Sequence, residues 1–162
     1  IAVGGDSAGG MLAAIVTQVA RDRGAPNLAF QLLMFPNTQM GGDTSSLNEY
    51  AVGYLLERHT IEWFNGQYAP NEADRASPLV SPLRAKDFAR LPPAYVMLGG
   101  YDPLHDEGMA YAQKLRAAGV NVTIADHADM VHCFIYLQTV LPQAHTALAD
   151  AAHAVSAALE AA

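Results

Sequence analysis

Apolar positions along this chain follow two rhythms, short continuous runs and helical repeats, and the two alternate. Ile1-Ala2-Val3 is apolar and runs directly into Gly4-Gly5, with no Met, turn or cap ahead of it, so the chain is expected to begin inside a strand. Leu12, Ile15, Val16 and Val19 repeat at the spacing of an amphipathic helix, closed by Arg21, Asp22 and Arg23 with Gly24 as its C-cap. Leu28 to Phe35 is almost continuously apolar and stops at Pro36, which suits a parallel strand buried on both faces. Leu47, Tyr50, Ala51, Tyr54, Leu55 and Ile61 return to helical spacing, Trp63 and Phe64 follow, and Pro70 to Pro82 reads as irregular. Ala94 to Leu98, between Pro92-Pro93 and a Gly99-Gly100 turn, is the next strand. Met109, Ala112 and Leu115 start a helix ending at Gly119, and Val120 to Ala125 is the last strand. From Pro142, Leu148, Val155 and Leu159 form a narrow apolar stripe in an alanine-rich final helix. Strands alternating with helices predict an α/β fold, a parallel sheet joined by right-handed crossovers.

Composition narrows the function classes. With 162 residues, 51% of them apolar, the chain can bury a single core. A net charge of −7 and the lack of any basic window argue against nucleic acid as a partner. No apolar run reaches the roughly 18 residues of a membrane span. The one cysteine, Cys133, excludes an internal disulfide and any zinc site built from two or more cysteines.

The candidate chemistry starts at Gly5-Asp6-Ser7-Ala8-Gly9. It fits G-x-S-x-G in the context that pattern requires, a strand immediately before and a helix immediately after. Glycines two before and two after Ser7 allow a tight elbow that exposes its Oγ, and the backbone N–H of Ala8 can face a developing oxyanion. The alternative is a Gly-rich helix start with Ser7 as N-cap. A serine nucleophile needs a histidine base and an orienting carboxylate, in the chain order Ser, Asp or Glu, His. Asp102 follows the third strand, whereas Asp106 and Glu107 read as first-turn helix carboxylates, Asp106 being the cap candidate. Of six histidines, His59, His105, His145 and His153 fall in helical segments or at their starts, leaving His127 and His132 near the end of the last strand. Position favours His132 over His127, which abuts the strand, but does not exclude the latter.

Four blocks extend the pattern. Ile1-Ala2-Val3-Gly4-Gly5-Asp6-Ser7-Ala8-Gly9-Gly10, Leu91-Pro92-Pro93-Ala94, Tyr101-Asp102-Pro103-Leu104-His105-Asp106-Glu107-Gly108 and Met130-Val131-His132-Cys133-Phe134 stand in order, with Arg75-Ala76-Ser77-Pro78-Leu79 between the first two. Together they resemble the hormone-sensitive-lipase-like family of α/β-hydrolase esterases, in the branch with Asp before the nucleophile. The resemblance spans essentially the whole chain. It implies Ser7 as nucleophile, Asp102 as triad acid and His132 as base. Two departures accompany it. Cys133 stands where the family usually carries Gly, and the family's His-Gly-Gly-Gly oxyanion segment belongs upstream of Ile1.

The expectation is therefore the C-terminal half of an α/β-hydrolase, whose partner is the N-terminal half of the same fold. Residues 1–38 would carry the nucleophile elbow, 39–90 a helical lid and irregular segment, and 91–162 the acid and base. Tyr50, Tyr54, Leu55, Trp63 and Phe64 are candidates to line the substrate pocket, with core packing as their alternative role. The expected function is a serine carboxylesterase for short- to medium-chain acyl esters, needing no metal or organic cofactor. A non-catalytic small-molecule receptor on the same fold and a serine amidase or peptidase are the alternatives. A homodimer is compatible with the sequence, and the cytoplasm is the expected location, with secretion left open.

Overall fold

The computed structural model describes residues 1–161. Four parallel strands, β1 (Ala2–Asp6), β2 (Phe30–Met34), β3 (Ala94–Tyr101) and β4 (Val122–Val131), lie side by side in chain order. Helix α1 (Ala8–Arg23) joins β1 to β2 and α4 (His105–Ala117) joins β3 to β4. Between β2 and β3 run α2 (Ser45–Glu49), α3 (Arg58–Tyr68) and two 3₁₀ turns, and α5 (Pro142–Glu160) closes the chain. This is the α/β arrangement that the alternating pattern predicts.

Strand alternation sorts the core into two layers. On one face Leu33, Val96, Leu98 and Val122 pack against Ala13 and Ala14 of α1 and Tyr111, Ala112 and Leu115 of α4. On the other Phe30, Tyr95 and Met97 pack against Ala144, Ala147 and Ala151 of α5. Gln31, fully buried in β2, is satisfied by donating to the Pro92 carbonyl at 2.8 Å.

The apolar stripes need correction. In α1, Leu12 and Val16 are exposed, and the helix buries Met11, Ala13, Ala14, Ile15, Thr17 and Gln18 instead. Small alanines let the backbone come close to the sheet. The two polar residues are paired: Thr17 Oγ1 donates to the Ala14 carbonyl at 2.7 Å, and Gln18 Nε2 to the Pro82 carbonyl at 3.0 Å. In α5 likewise Ala144, Ala147 and Ala151 are buried while Leu159 is exposed. The helical repeat over residues 47–64 is interrupted, because Gly53 (φ 88°) and Leu55 (φ 70°) take left-handed conformations between α2 and α3.

Gly99-Gly100 is not a turn. β3 continues through it to Tyr101 and β4 continues to Val131, both beyond their expected ends. Gly99 pairs with His127 and Tyr101 with Val131, so Ala128 to Met130 bulge opposite Gly100 alone. The bulging backbone presses so close that a Cβ on Gly100 would lie 2.2 Å from the Ala128 carbonyl oxygen. Gly100→Ala should therefore displace β4 and destabilise the fold by about 1–3 kcal/mol, the usual cost of overpacking, in urea denaturation. An unchanged transition midpoint would mean that the strands are not held this tightly.

Candidate active site

Each of the three residues expected to act together is the first residue after a strand. Ser7 follows β1, Asp102 follows β3 and His132 follows β4. Parallel strands all end on the same side of the sheet, so the three side chains converge. The Tyr101–Val131 pair delivers Asp102 and His132 next to each other. His132 Nδ1 lies 2.6 Å from Asp102 Oδ2, and His132 Nε2 lies 3.0 Å from Ser7 Oγ. His132 follows the strand directly rather than a loop, while His127 sits within β4 with its ring against Phe134 at 4.9 Å.

The elbow at Ser7 is held in a rare conformation, φ 51° and ψ −118°. Such a backbone costs about 1–3 kcal/mol and persists only where its surroundings enforce it. Here the Ser7 N–H donates to the Met34 carbonyl at 2.8 Å, and the Ser7 carbonyl accepts from Met11 and Asn37 N–H groups at 3.0 and 3.2 Å. Gly5 is required by close approach, since a Cβ there would lie 2.4 Å from the Gly9 backbone. Ser7 makes no side-chain cap bond to α1, so its hydroxyl is left to His132. Ala8 opens that helix, where N–H groups have no partner within the helix.

Asp102 and His132 are almost dry, 1% and 5% exposed. Asp102 Oδ1 accepts the Leu104 N–H at 2.8 Å while Oδ2 faces the imidazole. Burial by itself would lower the pKa of His132, but the Asp102 carboxylate outweighs it and the net shift is upward, with the neighbouring Cys133 side chain adding to it. The ring of Phe35 packs edge-on to His132 at 5.7 Å. Cys133 adopts a left-handed backbone, φ 56°, which is the conformation glycine accepts without penalty.

The helix carboxylates behave differently from their sequence reading. Leu104, not Asp106, occupies the N-cap of α4, and Asp106 instead accepts the Ser46 N–H of α2 at 2.9 Å. Glu107 turns inward, 5% exposed, and its Oε1 accepts the Thr38 and Gln39 N–H groups at 2.5 and 3.0 Å. Its place was detectable, since Glu107, Tyr111 and Leu115 share one helical face at i, i+4 and i+8. His105 lies between Asp106 and Asp126, at 3.1 and 3.3 Å. Among the described residues, no group of three or more His, Cys, Asp or Glu is placed to hold a metal ion, and no helix is long and apolar enough to cross a membrane.

A cavity of about 650 Å³ opens beside Ser7 and Ala8. Of the five residues expected to line it, only Phe64 does. Tyr54 stacks on Tyr101 and Tyr50 meets it edge-on, at ring separations of 5.7 Å each, Leu55 is exposed, and Trp63 rests edge-on against Phe64. The face of α3 that reaches the cavity carries Ile61, Phe64, Asn65 and Tyr68, a helical spacing that leaves Trp63 outside it. Met11, Met40 and Leu56, which the sequence did not single out, complete the apolar wall.

Burial pushes the Glu107 carboxyl up to about 8; the Gln39 and Thr38 N–H groups oppose the shift and the nearby Asp102 carboxylate adds to it. The folded protein thus keeps a proton that the unfolded chain releases near the ordinary value of 4.5. Stability present below that value should decline as pH rises from there towards about 8. Glu107→Gln keeps an oxygen for both N–H groups but cannot ionise, so its Tm should fall less than that of the unsubstituted protein between about pH 5 and 9. Equal losses in thermal melts would show that Glu107 is ionised in the fold.

The comparisons with known proteins agree with the fold. The profile of a family described as alpha/beta hydrolase fold matches residues 1–136. The chain is 42% identical over 142 residues to the carboxylic ester hydrolase LipN of Mycobacterium tuberculosis, covering 85% of this chain and 38% of that protein. It is 40% identical over 151 residues to the ethyl acetate hydrolase of Pseudomonas putida, covering 91% and 47%. Among solved structures, EstE1, a thermostable carboxylesterase cloned from a metagenomic library, superposes with a TM-score of 0.94 at 38% identity, over 98% of this chain and 55% of that one. The chain thus spans about half the length of the relatives it matches. On these matches, the chain belongs to the hormone-sensitive-lipase-like family of the α/β-hydrolase fold.

Proposed function

We propose that the protein is a serine carboxylesterase acting on short- to medium-chain acyl esters, with Ser7 as nucleophile, His132 as base and Asp102 as the orienting acid. The observation that carries this reading is the continuous relay from Ser7 Oγ to His132 to Asp102, at 3.0 and 2.6 Å. His132 Nε2 takes the Ser7 proton as Oγ attacks the ester carbonyl, and the Asp102 carboxylate stabilises the imidazolium that forms. The oxyanion is held by the Ala8 N–H and by donors of the His-Gly-Gly-Gly segment that the family carries ahead of its nucleophile. Collapse of the tetrahedral intermediate breaks the C–O bond, His132 returns its proton to the leaving alcohol, and water then hydrolyses the acyl-enzyme by the same steps.

Residues 39–90 supply one wall of the cavity beside Ser7, consistent with a role as lid. Among the described residues β1 has β2 as its single neighbour, and Ile1 is exposed beside it along with Leu12 and Val16 of the adjoining helix. That edge is where the remainder of an α/β-hydrolase sheet would pair. An intact relay is more than a non-catalytic receptor needs, which favours the enzyme.

In the full-length protein, Ser7→Ala and His132→Ala should each lower kcat for a p-nitrophenyl acyl ester by about 10⁴-fold, and the double variant should be little worse, because the relay acts as a unit. An organophosphate should label Ser7. Retained turnover in Ser7→Ala, or labelling elsewhere, would discard the assignment. The profile of kcat/KM should rise with pH through a midpoint above the ordinary histidine value of about 6.5, because His132 acts as a base only when neutral and Asp102 raises its pKa. A flat profile from about pH 5 to 9 would exclude a histidine base.

A further inference from the structure

Glu107 is the buried carboxyl for which the relay itself has no use. It sits in the first turn of α4, shortly after Asp102, and shares its helical face with the buried Tyr111 and Leu115. Burying a carboxyl there costs more than burying an apolar side chain of similar size. What the carboxyl secures is the loop after β2, residues 35–40. Its Oε1 accepts the Thr38 and Gln39 N–H groups at 2.5 and 3.0 Å, and Thr38 Oγ1 donates in return to the Glu107 carbonyl at 2.8 Å.

The same loop touches both Ser7 and His132. The Asn37 N–H donates to the Ser7 carbonyl at 3.2 Å, and the Phe35 ring packs edge-on against His132 at 5.7 Å. Phe35 is held at φ 46° and Ser7 at φ 51°, positive values that side-chain-bearing residues keep only where their surroundings enforce them. One loop thus braces the serine and the imidazole, and Glu107 fastens that loop to the helix that begins beside Asp102. The Ser7–His132 distance of 3.0 Å is short enough for proton transfer, and a shift of about an ångström would remove that advantage.

We propose that Glu107 is a positioning residue for the relay: by accepting the Thr38 and Gln39 N–H groups it locks the loop after β2 against Ser7 and His132, and so sets the rate at which Ser7 attacks. The inference rests on Ser7 being the nucleophile and His132 the base of an esterase. The carboxyl acts here as a hydrogen-bond acceptor, a part that a neutral amide oxygen can also play. In this it differs from Asp102, whose charge the imidazolium requires.

The test is the rate at which diisopropyl fluorophosphate labels Ser7 in the full-length protein. With the reagent in excess, lost folded protein lowers the extent of labelling, whereas lost positioning lowers its rate constant. Glu107→Met fills the space but leaves both N–H groups unpaired, and should slow labelling by about 10²-fold, the effect of misplacing reacting groups by about an ångström. Glu107→Gln restores an accepting oxygen and should recover the rate to within about 3-fold. Thr38→Val removes only the bond to the Glu107 carbonyl and should slow labelling by roughly 5-fold. Glu107→Met labelled at the unsubstituted rate overturns the positioning role. So does Glu107→Gln labelled as slowly as Glu107→Met, because the charge or proton would then be what matters. Thr38→Val labelled at the unsubstituted rate overturns it even where Glu107→Met yields no folded protein. Absence of Ser7 labelling in the unsubstituted protein would instead overturn the esterase reading on which the inference rests.

Discussion

The pairing of Tyr101 with Val131 is the contact on which the candidate site depends. It lies beyond a bulge in β4, so its existence requires Gly100, whose missing side chain leaves room for the Ala128 carbonyl. Once that pair forms, the next residue of each strand is fixed, and those residues are Asp102 and His132. A register shifted by a single residue would turn one of the two side chains to the opposite face of the sheet. The 2.6 Å contact between them is thus a consequence of backbone geometry a full strand long.

The same region concentrates buried ionisable groups. Asp102, Glu107 and His132 are each at most 5% exposed, and each is compensated differently. Asp102 has a backbone N–H and the imidazole, His132 has the carboxylate and the serine, and Glu107 has two N–H groups of the loop after β2. Removal from water strengthens every one of these interactions and raises the cost of leaving any one unmade. Glu107 also ties α4, which starts beside Asp102, to the loop carrying Asn37 and Met40, so Asp102 and the cavity wall are parts of one hydrogen-bonded unit.

Cavity and relay come from different parts of the chain. The relay stands on strand ends, which the core layers hold rigid, while the wall facing Ser7 is built from the stretch between β2 and β3. That division lets side chains such as Phe64 and Tyr68 change without disturbing the distances at Ser7. The wall can therefore vary where the strand ends cannot.

Much of this could be read from the sequence alone, and the reason is local. G-x-S-x-G between an apolar run and a helical repeat states its own backbone requirement, so Ser7 and Ala8 were identifiable from five residues and their flanks. The order of strands and helices followed from apolar runs and turn residues for the same reason. The histidine that reaches Ser7 was not local. His127 and His132 are separated by the path of a bulged strand, and only the β3–β4 register shows which reaches Ser7. The buried faces of α1 and α5 also lay beyond a count of large apolar residues, because close helix–sheet packing selects alanine and leaves Leu12, Val16 and Leu159 outside. The cavity wall depended on where left-handed turns at Gly53 and Leu55 split the insert and so on which side of α3 faces Ser7. Sequence determined what each segment prefers by itself. Tertiary structure decided which side chains meet, because a contact between residues a hundred positions apart depends on register and packing distance, which no single segment encodes.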